Sequence, residues 1–263
     1  MKASCQLRSA FDLLAVPYGY EHSCKITKGV LNQNRFLLTQ HKSCFDSDPR
    51  ASLFRLVDDL NMPLEGAAWL KNNLDQAELI HLGYEDDKGV PLCKLYLEFP
   101  YTVPESDLPT SEKSFLLHQA IKWHTEDNRF HITDYRCLPS LSKLEYLSFI
   151  YKCLGPSGQS QAVWVEELLM RMCKSELPMM LDVSEPETVR RSFDVNLYDF
   201  SIRLGELGSL LKKLFRSFSL SPESVNQFLE QNADRILGHV SGGINRDGEP
   251  FITLYFGVEE RCG

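Results

Sequence analysis

At 263 residues, with 43% hydrophobic and 24% charged side chains, the chain has an ordinary globular composition, which excludes a disordered, collagenous or membrane-spanning protein. Lys plus Arg number 28 against 36 Asp plus Glu, a net charge of −8, so the broad basic surface that nucleic-acid binding requires is missing. No run of about 18 apolar residues occurs, and no transmembrane helix is expected.

In chain order, residues 1–20 carry a short apolar stretch at 11–16 that Arg8 and Asp12 interrupt, which reads as mature sequence and not as a signal peptide. Residues 21–30 and 35–41 flank the turn Asn32-Gln33-Asn34 as a first hairpin. A helix over 52–60 precedes a second that starts near Pro63, with Leu64, Ala67, Ala68 and Lys71 at helical spacing. A second hairpin turns at Asp87-Lys88-Gly89, where Asp and Gly suit the positive φ of a tight turn. Residues 102–111, with Pro104 and Pro109, form the clearest linker. Beyond it, strands over 121–125 and 130–135 flank Glu126-Asp127-Asn128, helices cover 141–153 and 163–172, and strands cover 179–183 and 192–198. The chain ends with a helix over 208–218, another from Pro222, and a hairpin turning at Arg246-Asp247-Gly248.

Part of this order is a repeat. Sliding the chain on itself by 159 residues matches 56–97 to 215–256 without a gap. Nine of the 42 positions are identical, among them Pro63/Pro222, Asn73/Asn232, Gly83/Gly242, Gly89/Gly248 and Tyr96/Tyr255, where composition alone gives about two or three.

Alternation along the strands says what the sheet does. Cys93, Leu95, Leu97 and Phe99 alternate with Lys94, Tyr96 and Glu98; Phe193, Val195 and Leu197 alternate with Asp194, Asn196 and Tyr198. Ile252, Leu254 and Phe256 alternate with Thr253 and Tyr255 in the same way. One face is buried under helices; the other is polar. An open antiparallel sheet and a closed barrel around a wet chamber both satisfy this pattern. Five hairpins, or ten strands, with helix pairs between most of them, favour closure, because closure removes both edges.

The stretch Glu21-His22-Ser23-Cys24-Lys25-Ile26, followed by Arg35-Phe36-Leu37-Leu38, resembles the first hairpin of the cyanobactin-type peptide prenyltransferases. Lys94 and the closing strand 251–256 are similar in placement. The resemblance implies an α+β fold: one ABBA, or PT-barrel, domain over residues 1–263, a ten-stranded antiparallel β-barrel surrounded by helix pairs. It also implies transfer of a dimethylallyl group from dimethylallyl diphosphate to a side chain or terminus of a ribosomally made peptide. Magnesium would be carried on the diphosphate. By matching position, Glu21 is the general base, Arg35 and Lys94 bind the diphosphate, and tyrosines on inward strand positions shield the allyl cation.

The chemistry asks for the same residue types. A departing diphosphate must be neutralised by Arg and Lys, and Lys122, His124 and His131 on the third hairpin are the further candidates. The cation must be kept from water by ring faces, for which Tyr96, Tyr135, Tyr198 and Tyr255 are the candidates. A carboxylate beside the acceptor removes its proton. The plainer reading of Arg35 and Lys94 is an ion pair with Glu98 or Asp194. The runner-up for the whole chain is a catalytically silent barrel that binds a peptide or an isoprenoid; four or more cations converging in the lumen favour the enzyme.

Other signals are structural. Seven histidines offer no HxH or HExxH spacing, so no protein-held metal is expected. Eight cysteines without a CxxC pair read as reduced thiols in a cytoplasm. Ser140-Leu141-Ser142-Lys143 formally fits SxxK, but after Pro139 it reads as a helix start.

Overall fold

Two-residue periodicity runs around the whole sheet in the computed structural model, which describes residues 3–12, 16–45, 49–87, 89–100, 114–172, 176–186 and 188–262. The elements are α1 (Ala3–Asp12), β1 (Tyr18–Thr27), β2 (Val30–Asn32), β3 (Arg35–His41), α2 (Pro49–Asp59), α3 (Leu64–Asn73), β4 (Leu79–Asp87), β5 (Val90–Glu98), β6 (Phe115–His124) and β7 (Phe130–Cys137). They continue with α4 (Lys143–Leu154), α5 (Gln159–Met172), β8 (Met180–Ser184), β9 (Arg191–Asn196), α6 (Gly208–Ser217), α7 (Pro222–Asn232), β10 (Leu237–Ile244) and β11 (Pro250–Arg261). The expected linker 102–111 lies outside the described residues, as does part of the apolar stretch 11–16.

Every strand pairs antiparallel with its neighbours, and β11 pairs with β1, from Tyr18 against Arg261 to Ile26 against Ile252. Ten strands therefore close into a barrel, with the three-residue β2 as an extra pairing on β1 that the sequence pattern did not announce. Outward residues such as Cys24, Ile26, Leu38, Leu82, Leu95 and Trp123 are buried beneath the helices. The apolar layer has two main parts, one under α1–α3 and one under α4–α7. None of the described helices is long and apolar enough to cross a membrane.

Local chemistry explains where the helices begin. Ser142 caps α4 in a reciprocal box with Glu145, so the SxxK match is a helix start. Ser221 caps α7, with Pro222 in the first turn. In both copies of the repeat the asparagine amide closes the helix end, Asn73 on the Trp69 carbonyl (2.7 Å) and Asn232 on that of Phe228 (2.9 Å).

The copies differ in one respect. Two residues separate the paired Asp87 and Val90 in the first hairpin, whereas three separate the hydrogen-bonded Asn245 and Glu249 in the second. The pairing of the second hairpin is thereby shifted by one: Gly83 lies opposite Lys94, but Gly242 lies opposite Ile252 and not Thr253. Gly83 faces inward, while a Cβ on Gly242 would meet the core rings of Phe193 and the side chain of Ile252. The ungapped match is therefore kept in three dimensions through β5 and β11 and broken through β4 and β10.

Both hairpin tips do keep a left-handed glycine, Gly89 at φ 90° and Gly248 at φ 80°. A Cβ on Gly248 would meet nothing within 4 Å, so only the backbone resists it. Gly248→Ala is expected to lower unfolding free energy by about 1–2 kcal/mol in a denaturant titration.

Candidate active site

Each strand turns its second set of residues into the lumen, and their order along the barrel sorts the chemistry into tiers. The lumen opens as a cavity of about 870 Å³ lined by Arg35, Glu85, Lys94, Tyr96, Lys122, Tyr135, Arg190, Asp194, Arg246 and Tyr255, among others.

Charge dominates the outer tier. Glu85, 3% exposed, sits among three cations: Lys94 Nζ donates to Oε2 at 2.6 Å, Lys25 Nζ to Oε1 at 3.2 Å, and Arg35 Nη2 lies 3.4 Å from Oε2. Burial would raise the Glu85 carboxyl, but Arg35, Lys94 and Lys25 hold it well below its ordinary value. The expected partners of Arg35 and Lys94, Glu98 and Asp194, are elsewhere; Glu85 on neighbouring β4 takes that place because Arg35 lies directly opposite it in the sheet. Arg35 keeps Nε and Nη1 buried with no hydrogen-bond partner.

Burial drives Lys94 down to about 8 despite Glu85, and burial with Lys94 and Arg190 nearby drives Lys122 well below its ordinary value. Lys25, Arg35, Lys94 and Lys122 come from β1, β3, β5 and β6, so four cations line one side of the cavity against Glu85. Toward the mouth, Arg246 (2.9 Å) and Arg190 both bind Glu185. His124 and His131 line the same mouth, and burial lowers the His131 imidazole.

Aromatic rings form the next tier. Tyr96 and Tyr135 lie 5.6 Å apart between centroids, and Lys122 Nζ sits 5.4 Å from the Tyr135 ring centre. Burial raises Tyr96, Tyr135 and Tyr255, so all three remain phenols. Tyr198 lies outside this tier. Strand β9 ends at Asn196, whose side-chain oxygen accepts from the Tyr198 amide, and the chain turns there through Tyr198–Phe200. The Tyr198 ring packs over Gly238, and its hydroxyl donates to Glu21.

Glu21 lies deeper than the tyrosines and is 7% exposed. Burial raises its carboxyl, opposed by His239 and by the Tyr198 hydrogen bond. His239 is bound to Asp194 at 2.8 Å, and although burial opposes it, Asp194 and Glu21 raise the imidazole to about 9, so it is a cation at neutral pH. The sequence pattern put Arg35, Lys94, Lys122, His124, His131, Tyr96, Tyr135 and Tyr255 in one chamber, and the fold does so too. It missed Lys25, Glu85, Arg190, Arg246 and His239, and had Asp194 on the polar face only as an ion-pair partner for Arg35 or Lys94. For Lys25 the signal was present, since it alternates with Glu21 and Ser23.

No family model matches the chain, and neither does any curated protein. Solved structures do resemble it in fold. The crystal structure of NotF prenyltransferase superposes with a TM-score of 0.60, covering 90% of this chain and 80% of that one at 12% sequence identity. The crystal structure of NotF in complex with brevianamide F and DMSPP gives 0.58 at 13% identity, covering 90% and 79%. AnaPT from Neosartorya fischeri gives 0.50 at 12%, covering 90% and 77%. The closed ten-stranded antiparallel barrel with its helices is the shared feature.

Glu85→Gln leaves the buried Arg35 and Lys94, and the half-buried Lys25, without their counter-charge. It is expected to destabilise the empty protein by about 3–5 kcal/mol. Inorganic diphosphate should restore more of the lost Tm in this variant than it adds to the wild type, read by thermal shift.

Proposed function

We propose that the protein is a prenyltransferase that moves a dimethylallyl group from dimethylallyl diphosphate to a peptide, as the likeness of its first hairpin to the cyanobactin-type enzymes implies. The observation that carries this reading is the stacking of three tiers: unsaturated cations, then phenol rings, then a buried carboxylate.

The diphosphate binds against Arg35, Lys94, Lys25 and Lys122, where the unused Nε and Nη1 of Arg35 donate to a second anion. Fixed cations in a water-poor site stabilise the charge that builds as the C–O bond breaks. The electron pair leaves with the diphosphate. Tyr96, Tyr135 and Tyr255 enclose the allyl cation with ring faces that attract it and offer no reactive lone pair beyond their hydroxyls. The acceptor approaches from the Glu21 side, forms the new bond to carbon, and loses its proton to Glu21, whose carboxyl burial raises above its ordinary value and so makes a stronger base. Tyr198 holds that carboxylate in place. Magnesium belongs in this reading only as an ion carried on the diphosphate. Glu85 and Glu185 commit their oxygens to Lys25, Lys94, Arg35, Arg190 and Arg246, a donor set that does not fit a protein-held magnesium.

Calorimetric titration with dimethylallyl thiolodiphosphate tests the donor half. Arg35→Ala and Lys94→Ala should each weaken binding about 10- to 100-fold, the worth of one charge-assisted bond. Absence of binding to the wild type refutes the dimethylallyl reading and leaves a longer donor or the silent barrel. Glu21→Gln should leave donor affinity unchanged and cut transfer to an accepted peptide by about 10²–10⁴.

Binding is also proton-linked. A bound diphosphate favours the ammonium of Lys94, which titrates near 8 in the free protein, so the bound state holds more protons. Affinity is expected to fall as pH rises through 8, by up to roughly tenfold per unit for each proton taken up.

A further inference from the structure

Beneath the tyrosines, at the end of the lumen away from the cations, β4, β5 and β6 bring together side chains that the transfer chemistry leaves unused. His81, Glu98 and His118 all point inward there. His81 Nε2 lies 2.9 Å from Glu98 Oε2, and His118 Nδ1 lies 3.6 Å from the same oxygen. We propose that these three side chains form a binding site for one divalent transition-metal ion of the zinc class.

Metal–nitrogen bonds of 2.0–2.1 Å and metal–oxygen bonds near 2.1 Å place tetrahedral donors about 3.3 Å apart. The two measured separations straddle that value, and all three donors lie within 4.8 Å of one another. Side-chain rotation closes such a set on one ion. The donor set is two imidazoles and one carboxylate, which suits borderline metals and not calcium or magnesium. His81 is already oriented as a ligand, because its other ring nitrogen, Nδ1, is 2.8 Å from the Thr39 hydroxyl, the outer-shell bond that fixes a liganding imidazole. The three side chains keep 12%, 28% and 19% of their surface, so the ion has a way in. Glu21 and Asp194 act electrostatically on the same cluster, two carboxyl groups against the single His239 imidazole. Three protein ligands leave a fourth position for water or a heteroatom of a bound molecule. The site does not depend on prenyl transfer, and its test uses neither donor nor acceptor.

Protein stripped with a chelator is titrated with zinc chloride by calorimetry, and bound metal is counted by elemental analysis after dialysis. One ion per chain is expected. His118→Ala and Glu98→Gln should weaken it by more than the about 10- to 100-fold that loss of a supporting partner costs, and Thr39→Val by that smaller amount. His41→Ala, at an exposed histidine remote from the lumen, should change nothing. No stoichiometric uptake, or uptake that survives both ligand substitutions, overturns the proposal. Should those variants fail to fold, cobalt chloride on the wild type decides: intense visible ligand-field bands saturating at one equivalent support the site, and weak octahedral bands or none overturn it.

Discussion

Barrel closure, β1 lying along β11, is the constraint on which the rest of the molecule depends. Without it the polar face of each strand would look into bulk water, and its charges would be screened side chains on an open sheet. With it, the same residues share one enclosed volume in which each charge acts on every other. Closure also fixes the outer face, where the apolar set of each strand must find a helix, and the two halves of the helical shell meet that need.

Enclosure makes the charge balance of the lumen consequential. Four cations and one carboxylate cannot coexist in a water-poor chamber at their solution pKa values, and burial lowers Lys94 and Lys122, Lys94 even with Glu85 at 2.6 Å. Glu85 offsets the charge of Arg35, Lys94 and Lys25 inside the lumen. At 3% exposure and bound by three partners, it fixes the direction in which those cations point.

Much of the architecture was legible in the chain. Ser142 and Pro222 marked helix starts, Gly89 and Gly248 marked hairpin tips, and alternation along β5 and β11 assigned Lys94, Tyr96 and Tyr255 to one face. Alternation does not say where a strand stops, which is why Tyr198 fell on the wrong element: the Asn196 side chain turns the backbone two residues earlier. Nor does it supply register between strands distant in sequence. Glu85 opposite Arg35, and Glu98 opposite His118, follow from pairings separated by 50 and 20 positions, and no local spacing encodes them.

Register also bears on the repeat. Had the second copy kept the pairing of the first, Val240, Gly242 and Ile244 would occupy the places held by His81, Gly83 and Glu85, and that wall of the lumen would be greasy. The longer turn at residues 246–248 rotates the strand by one residue, sending those side chains to the helices and bringing His239 and Ser241 inside. A duplicated chain with matched halves would build a chamber with two walls alike, since both hairpin tips lie at the same mouth. One added turn residue makes those walls unlike, with Glu85 on one and Gly243 on the other, so a molecule inside would meet a different surface on each flank.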